Sequence, residues 1–184
     1  MRLWVIAIAA GAMLALEILA IRLLIPVIGS EGRTVSLAIA AIVAGAALGT
    51  EAGRRIDPRW LRLAPGLALS LAAPLIVLAP LFLQKLSGLS SGDLIGSTCL
   101  TLLIVSPASA LLALPYPIIA TDLAKDRPSL GRAAAHASAV SNLGAMLGGL
   151  TASLPIAGLL PTSIGLIVIA LCVLLGAFIA WRVR

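Results

Sequence analysis

Six apolar runs, each about 20 residues long, fill this chain and limit it more than any other feature. They cover 3–28, 34–53, 63–83, 97–120, 133–157 and 162–181. A helix needs about 20 residues to cross the hydrocarbon of a bilayer, so six crossings take roughly 120 residues. Of 184 residues, too few remain for an extramembrane domain. The composition is 61% hydrophobic and 11% charged, with a mean hydropathy of +1.16. A soluble domain is about half apolar and about a quarter charged. The expected fold class is therefore an all-α integral membrane protein, a six-transmembrane-helix bundle forming one domain over 1–184. The runs are continuous and rich in Ala and Leu, unlike the alternating strands of a barrel.

The net charge of +6 follows from topology. Arg2, Arg54, Arg55, Arg59, Arg62, Lys125, Arg127, Arg132, Arg182 and Arg184 all fall on one side of a six-span arrangement. Arg33 and Lys85 fall on the other, and Arg22 lies at the edge of the first span. The positive-inside rule then places both termini in the cytoplasm, and the chain in the inner membrane as a multi-pass protein. Arg2 ahead of an apolar run resembles a signal peptide, but the run is too long and lacks a clean cleavage site, so a retained helix is expected. Aromatic residues are 3% and no basic run could track a phosphate backbone, which excludes nucleic acid. Trp4, Trp60 and Trp181 sit near the expected cytoplasmic boundary, as interface anchors do.

Small residues mark expected helix contacts. Gly45, Gly49 and Gly53 recur every fourth residue in the second span, and Gly144 and Gly148 do so in the fifth. Such faces let backbones approach closely where lipid supplies no hydrophobic drive to association. These two spans are second in their respective halves. Three helices apart, two three-helix units must be inverted in the membrane, so the spacing is one sign of a 3+3 inverted repeat, with six unrelated spans the alternative. Proline is abundant where the hydropathy is high, at Pro65, Pro74, Pro80, Pro107, Pro115, Pro117 and Pro155. Leu-Pro-Tyr-Pro at 114–117 should break the fourth span, either as a packed kink or as a gating hinge.

Polar groups within the spans are the candidate site residues. Glu17 is costly inside a bilayer unless protonated, paired or facing water. Arg22 is five residues on, a poor intrahelical partner that can snorkel to the surface. Glu17 then needs a partner from another span, and it is either a hydrogen-bonded structural residue or a proton or ligand site. Ser138, Ser141 and Asn142 in the fifth span suit interhelical hydrogen bonds, with a cavity lining as the alternative. Glu51, Arg54, Arg55, Asp57 and Arg59 form a cytoplasmic charge cluster in which Glu51 has ion-pair spacing to both arginines. His136 reads as interfacial rather than as a ligand. Cys99 and Cys172 fall at different depths and are expected free, buried and unreactive. No catalytic residues, metal ligands or cofactor are expected: there is one histidine, no acidic pair in a span and no phosphate loop.

Three stretches resemble a known family. GAMLALEILAIRLL at 11–24, VSLAIAAIVAGAALGTEAGRRID at 35–57 and GRAAAHASAVSNLGAMLGGL at 131–150 are similar to the membrane domain fused ahead of spermidine-synthase-like catalytic domains. In that domain a Glu followed by an Arg, a "VSL…F..G.ALG…GR..D" helix, whose Phe this sequence lacks, and a "GR…N.LGA..G" helix occur in similar context. The resemblance implies a bundle like half of a major-facilitator transporter, and the 49–59 stretch looks like that superfamily's loop between its second and third helices. It carries over Glu17, Arg22, Gly49, Arg54 and Asn142 as structural or site-forming positions. The family's aminopropyltransferase-like domain has no counterpart in these residues, so aminopropyl transfer is not expected of them.

Two function classes follow, with an intramembrane enzyme a distant third. One is a non-catalytic integral membrane subunit that anchors or scaffolds a protein partner or larger complex. Its loops are too short for a standard interface of about 800 Å² per side, so contacts would lie within the membrane among lipids. The other is a small proton-coupled transporter working as a homo-oligomer, motivated by Glu17 and the broken helices.

Overall fold

The computed structural model describes residues 2–29, 31–57, 59–86, 94–125, 130–153 and 161–182. These form α1 (Arg2–Ile28), α2 (Glu31–Arg55), α3 (Ala64–Leu86), α4 (Leu94–Ala113), α5 (Pro115–Lys125), α6 (Leu130–Thr151) and α7 (Thr162–Arg182), with no strand among the described residues. The expected break is present: Leu114 is a turn residue between α4 and α5, and Pro115 and Pro117 have no N–H to give to the preceding turn. Its own N–H still reaches the Ala110 carbonyl at 3.2 Å, so α5 continues the direction of α4. Gly29 ends α1 in the left-handed region (φ 84°) and donates to the Ile25 carbonyl at 2.8 Å, a cap that lets α2 begin two residues later.

Five helical stretches are long and apolar enough to cross a membrane: Arg2–Ile28, Glu31–Arg55, Ala64–Leu86, Leu94–Lys125 and Thr162–Arg182. The remaining helix, α6, coincides with the described part of the expected fifth span but is not among them. His136, Ser138, Ser141 and Asn142 dilute its apolar character. Pro155 and the rest of that expected span, like Arg127 and Arg184, lie outside the described residues.

The helices pair through glycine. In α2 a Cβ at Gly45 would strike Ser106 and Ser109, at Gly49 it would strike Ala110, and at Gly53 it would meet the Leu114 carbonyl oxygen at 2.7 Å. Both series of residue numbers rise together, so α2 and α4 run parallel. In α6 a Cβ at Gly144 would strike Ala7 and one at Gly148 would strike Gly11, so α6 runs parallel to α1. The third close pair, α3 with α7, is antiparallel, since Gly66 abuts Trp181 while Gly176 abuts Leu69. Ala79 and Leu83 near the end of α3 share an apolar cluster with Leu100 and Ile104 near the start of α4, another antiparallel pair. Helix α1 is the hub, touching α2, α4, α6 and α7. Its Val5, Ile6, Leu16 and Leu19 are buried against Leu69, Ile76, Leu112, Leu166 and Val173.

One interval recurs through the burial pattern. The same number of residues separates Gly45 from Gly144, Gly49 from Gly148, Ser106 from Ala7 and Ala110 from Gly11. It also carries buried Val5, Ile6, Ala9, Leu19 and Ala20 of α1 onto buried Ile104, Val105, Ala108, Ile118 and Ile119 of α4 and α5. Buried Thr34 and Ala38 of α2 map onto buried Ala133 and Ala137 of α6 in the same way.

These directions gather the charges. One end of the bundle holds the starts of α1, α3 and α6 and the ends of α2, α5 and α7. Arg2, Arg54, Arg55, Arg59, Arg62, Lys125, Arg132 and Arg182 are all at this end, and Arg33 and Lys85 are at the other.

Candidate functional site in the cleft between the paired helices

The two glycine seams leave a cleft of about 260 Å³ between α1, α2, the α4–α5 junction and α6. Helix α1 supplies Ile6, Ala9, Ala10 and Met13, while Ala46, Leu112 and Ala113 close the apolar walls. Four hydroxyls interrupt them, on Thr50, Tyr116, Ser138 and Ser141. Thr50 donates its hydroxyl to the carbonyl of Ala46 or Ala47, at 2.9 and 3.0 Å, the usual way a helix satisfies a threonine in an apolar setting. Its oxygen lone pairs remain available. Tyr116, Ser138 and Ser141 have no hydrogen-bond partner among the described residues. Tyr116 is aimed here by the Pro115–Pro117 interruption, and the serines flank the α1-facing side of α6. The lining offers neutral hydrogen bonds to a polar group and no nucleophile paired with a base. No cluster of three metal-ligating side chains occurs among the described residues.

Glu17 does not line this cleft. It is half-buried on α1, one turn beyond Met13 on the stripe through Ala10 and Met13. The partner expected from another span is absent among the described residues, and Arg22 is exposed and unconnected to it. Asn142 also departs from expectation. It is exposed on the side of α6 away from α1 and bonds no other helix among the described residues. Cys99 and Cys172 are free, as expected, but exposed rather than buried. In each case depth along the helix could be read from the sequence, while the direction of the side chain depends on which face the neighbours take. His136 is exposed. Trp4 and Trp60 are exposed at 67% and 56%, whereas Trp181 packs over Gly66.

The charge cluster divides in two. Glu51 bridges Arg54 at 3.0 Å and Arg55 at 2.6 Å across the last turn of α2, with all three side chains well exposed. Asp57 instead accepts the Arg59 backbone N–H at 2.9 Å and shapes the turn that follows. A third ionic group joins elements far apart in sequence: Asp122 on α5 pairs with Arg2 at the start of α1, and Lys125 stands 3.9 Å from the same carboxylate. Sequence reasoning missed Asp122, Thr50 and Tyr116. Tyr116 carried a signal, as the chain's one tyrosine set between two prolines, and Thr50 sits beside a glycine of the seam. Asp122 carried none. At the opposite end, the Arg33 guanidinium donates to the Ser97 hydroxyl at 3.3 Å. The buried hydroxyls of Thr34 and Ser106 have no partner among the described residues.

No family model, curated protein or solved structure matches this chain.

Proposed function

We propose that this chain is a non-catalytic membrane subunit that engages a protein partner inside the bilayer. In this reading it crosses the cytoplasmic membrane six times, with α6 as the fifth crossing and the basic end and both termini in the cytoplasm. It is built as two inverted units of three helices each, which the recurring interval and the matched seams support. The likeness to the membrane domain of spermidine-synthase-like proteins belongs to the same proposal, with a separate catalytic chain as one partner of that kind.

One observation carries the reading. Exposed Asn142 sits among exposed Leu143, Met146 and Leu147 on a helix face that no other described helix covers. A lone carboxamide facing lipid leaves two donors and an acceptor unmet, which an intramembrane partner would satisfy. The outward face of α7, with Ile167, Leu171, Leu174, Leu175 and Phe178, is apolar throughout, as lipid contact favours. The test is purification from native membranes in mild detergent, with mass spectrometry of all co-purifying chains. A stoichiometric companion, a second copy included, is expected, and recovery only as a lone monomer would sink the idea.

The cleft and the Glu17 stripe favour a second reading, a small proton-coupled transporter working as a homo-oligomer. It requires that Glu17→Gln abolish proton-driven uptake in proteoliposomes. Unchanged uptake would remove Glu17 as the coupling group.

A further inference from the structure

We infer that the partner on the outward face of α6 is a second copy of this chain, docked about a twofold axis normal to the membrane with Asn142 against its own copy. This rests on the preceding reading in that α6 lies within the bilayer, and it deepens that reading by naming the occupant. Ala135, Ala139, Asn142 and Met146 are all exposed and follow one another at intervals of four, three and four residues, which sets them in one line along the helix. That line is opposite Gly144 and Gly148, the residues spent on α1. Alanine at 135 and 139 keeps the line low, so a second helix can approach closely. Asn142 comes next along it, where a close crossing would bring a polar group within hydrogen-bond reach.

The chemistry of that group selects the occupant. A twofold axis normal to a membrane brings every residue level with its own copy, so a polar side chain near the axis must be its own complement. A carboxamide has both N–H donors and a carbonyl acceptor, and two of them satisfy each other. A carboxylate or guanidinium at the same place would repel its copy. A single interfacial asparagine fixing register and partner number is well attested in coiled coils. Arg132 continues this line three residues before Ala135, at the start of α6 and about 15 Å along the helix from Asn142, where two crossing helices diverge and the long side chains can turn apart, and His136 is exposed off it.

The experiment uses the full chain with Cys99→Ser and Cys172→Ser. Single cysteines are placed by Ala139→Cys and Met146→Cys, with Leu171→Cys on α7 as reference, and native membranes are oxidised with copper phenanthroline. A band at twice the monomer mass is expected from the two α6 positions, at least tenfold stronger than from Leu171→Cys. Adding Asn142→Leu to Ala139→Cys should weaken it roughly three- to tenfold, while Asn142→Gln retains it. Size-exclusion profiles of both variants show whether the bundle itself is intact. No dimer band, an equal band from Leu171→Cys, or a band indifferent to Asn142→Leu in an intact bundle would overturn the inference. An adduct of another mass at Ala139→Cys would also overturn it, yet would leave the membrane-subunit reading standing. Absence of any adduct together with purification as a lone monomer would end both.

Discussion

The α2–α4 and α6–α1 seams solve one packing problem twice and present different surfaces to their surroundings. In both, glycines at four-residue spacing lie on a parallel helix so closely that a single methyl would meet backbone. Outside the seam they part company. Helix α2 turns Ile39, Val43 and Leu48 outward, all apolar, whereas α6 turns out Asn142 and His136. Counted by the recurring interval, Asn142 stands where α2 has Val43. The contrast teaches that the inward face of each helix is fixed by close backbone approach, while the outward face is free to be specialised. Helix α2 also exposes the hydroxyl of Ser36, but that hydroxyl is satisfied by the Gly32 carbonyl at 2.9 Å, whereas the Asn142 carboxamide on α6 has no partner among the described residues.

The comparison breaks most severely if either seam tolerates bulk. Gly49→Leu and Gly148→Leu should each cost several kcal/mol, because the new side chain meets main chain that cannot move aside. Fluorescence-detected size exclusion should show loss of the monodisperse peak in both. A folded Gly148→Leu would mean that the α6–α1 seam is dispensable. Smaller steps sharpen the same point: Gly49→Ala and Gly148→Ala should each destabilise by about 1–3 kcal/mol in thermal unfolding. Gly131→Ala, on the same helix as Gly148 but with open space around it, should instead be neutral or gain up to about 1 kcal/mol.

A third substitution addresses where the two halves differ inside. Thr34 is fully buried and its hydroxyl has no partner among the described residues, while its counterpart Ala133 has none to satisfy. Thr34→Val keeps the shape and removes the orphan, so a rise of about 1 kcal/mol in stability to denaturant is expected. A loss of similar size would show that the hydroxyl has a partner in the folded protein. The smallest effect belongs to the exposed ion cluster at the end of α2. Glu51→Gln should leave the unfolding temperature unchanged within error, because both arginines remain open to solvent.

The parts of this architecture legible in the sequence are those written in residues with only one use. Glycine at every fourth place in α2 announces close approach, and paired prolines at 115 and 117 announce an interruption, whatever surrounds them. Azimuth was not legible. Where a helix has one polar face, that face identifies the outside, but here the inward and outward faces are both largely apolar. Cys99, Cys172 and Asn142 were therefore expected inward and stand outward, and Glu17 was expected to meet a partner that its position does not offer. The cleft was half legible: Ser138 and Ser141 stood out as polar, but Thr50 and Tyr116 join them only because α2 and α5 converge on α1 and α6.

The pairing of α1 with α6 has a consequence for how the protein is made. Helix α1 is made before α2 to α5, and its parallel partner α6 only after them. Until then the Gly11 surface of α1 is bare, and it cannot be closed by the two-residue hairpin that joins α1 to α2, because neighbours joined that way are antiparallel. The α2–α4 seam can close earlier, leaving α1 loosely held at its edge. The α1–α6 seam is therefore a long-range closure that waits for α6, with the α3–α7 pair still to follow. Truncation before α6 should leave the Gly11 surface of α1 uncovered, a state open to proteolysis.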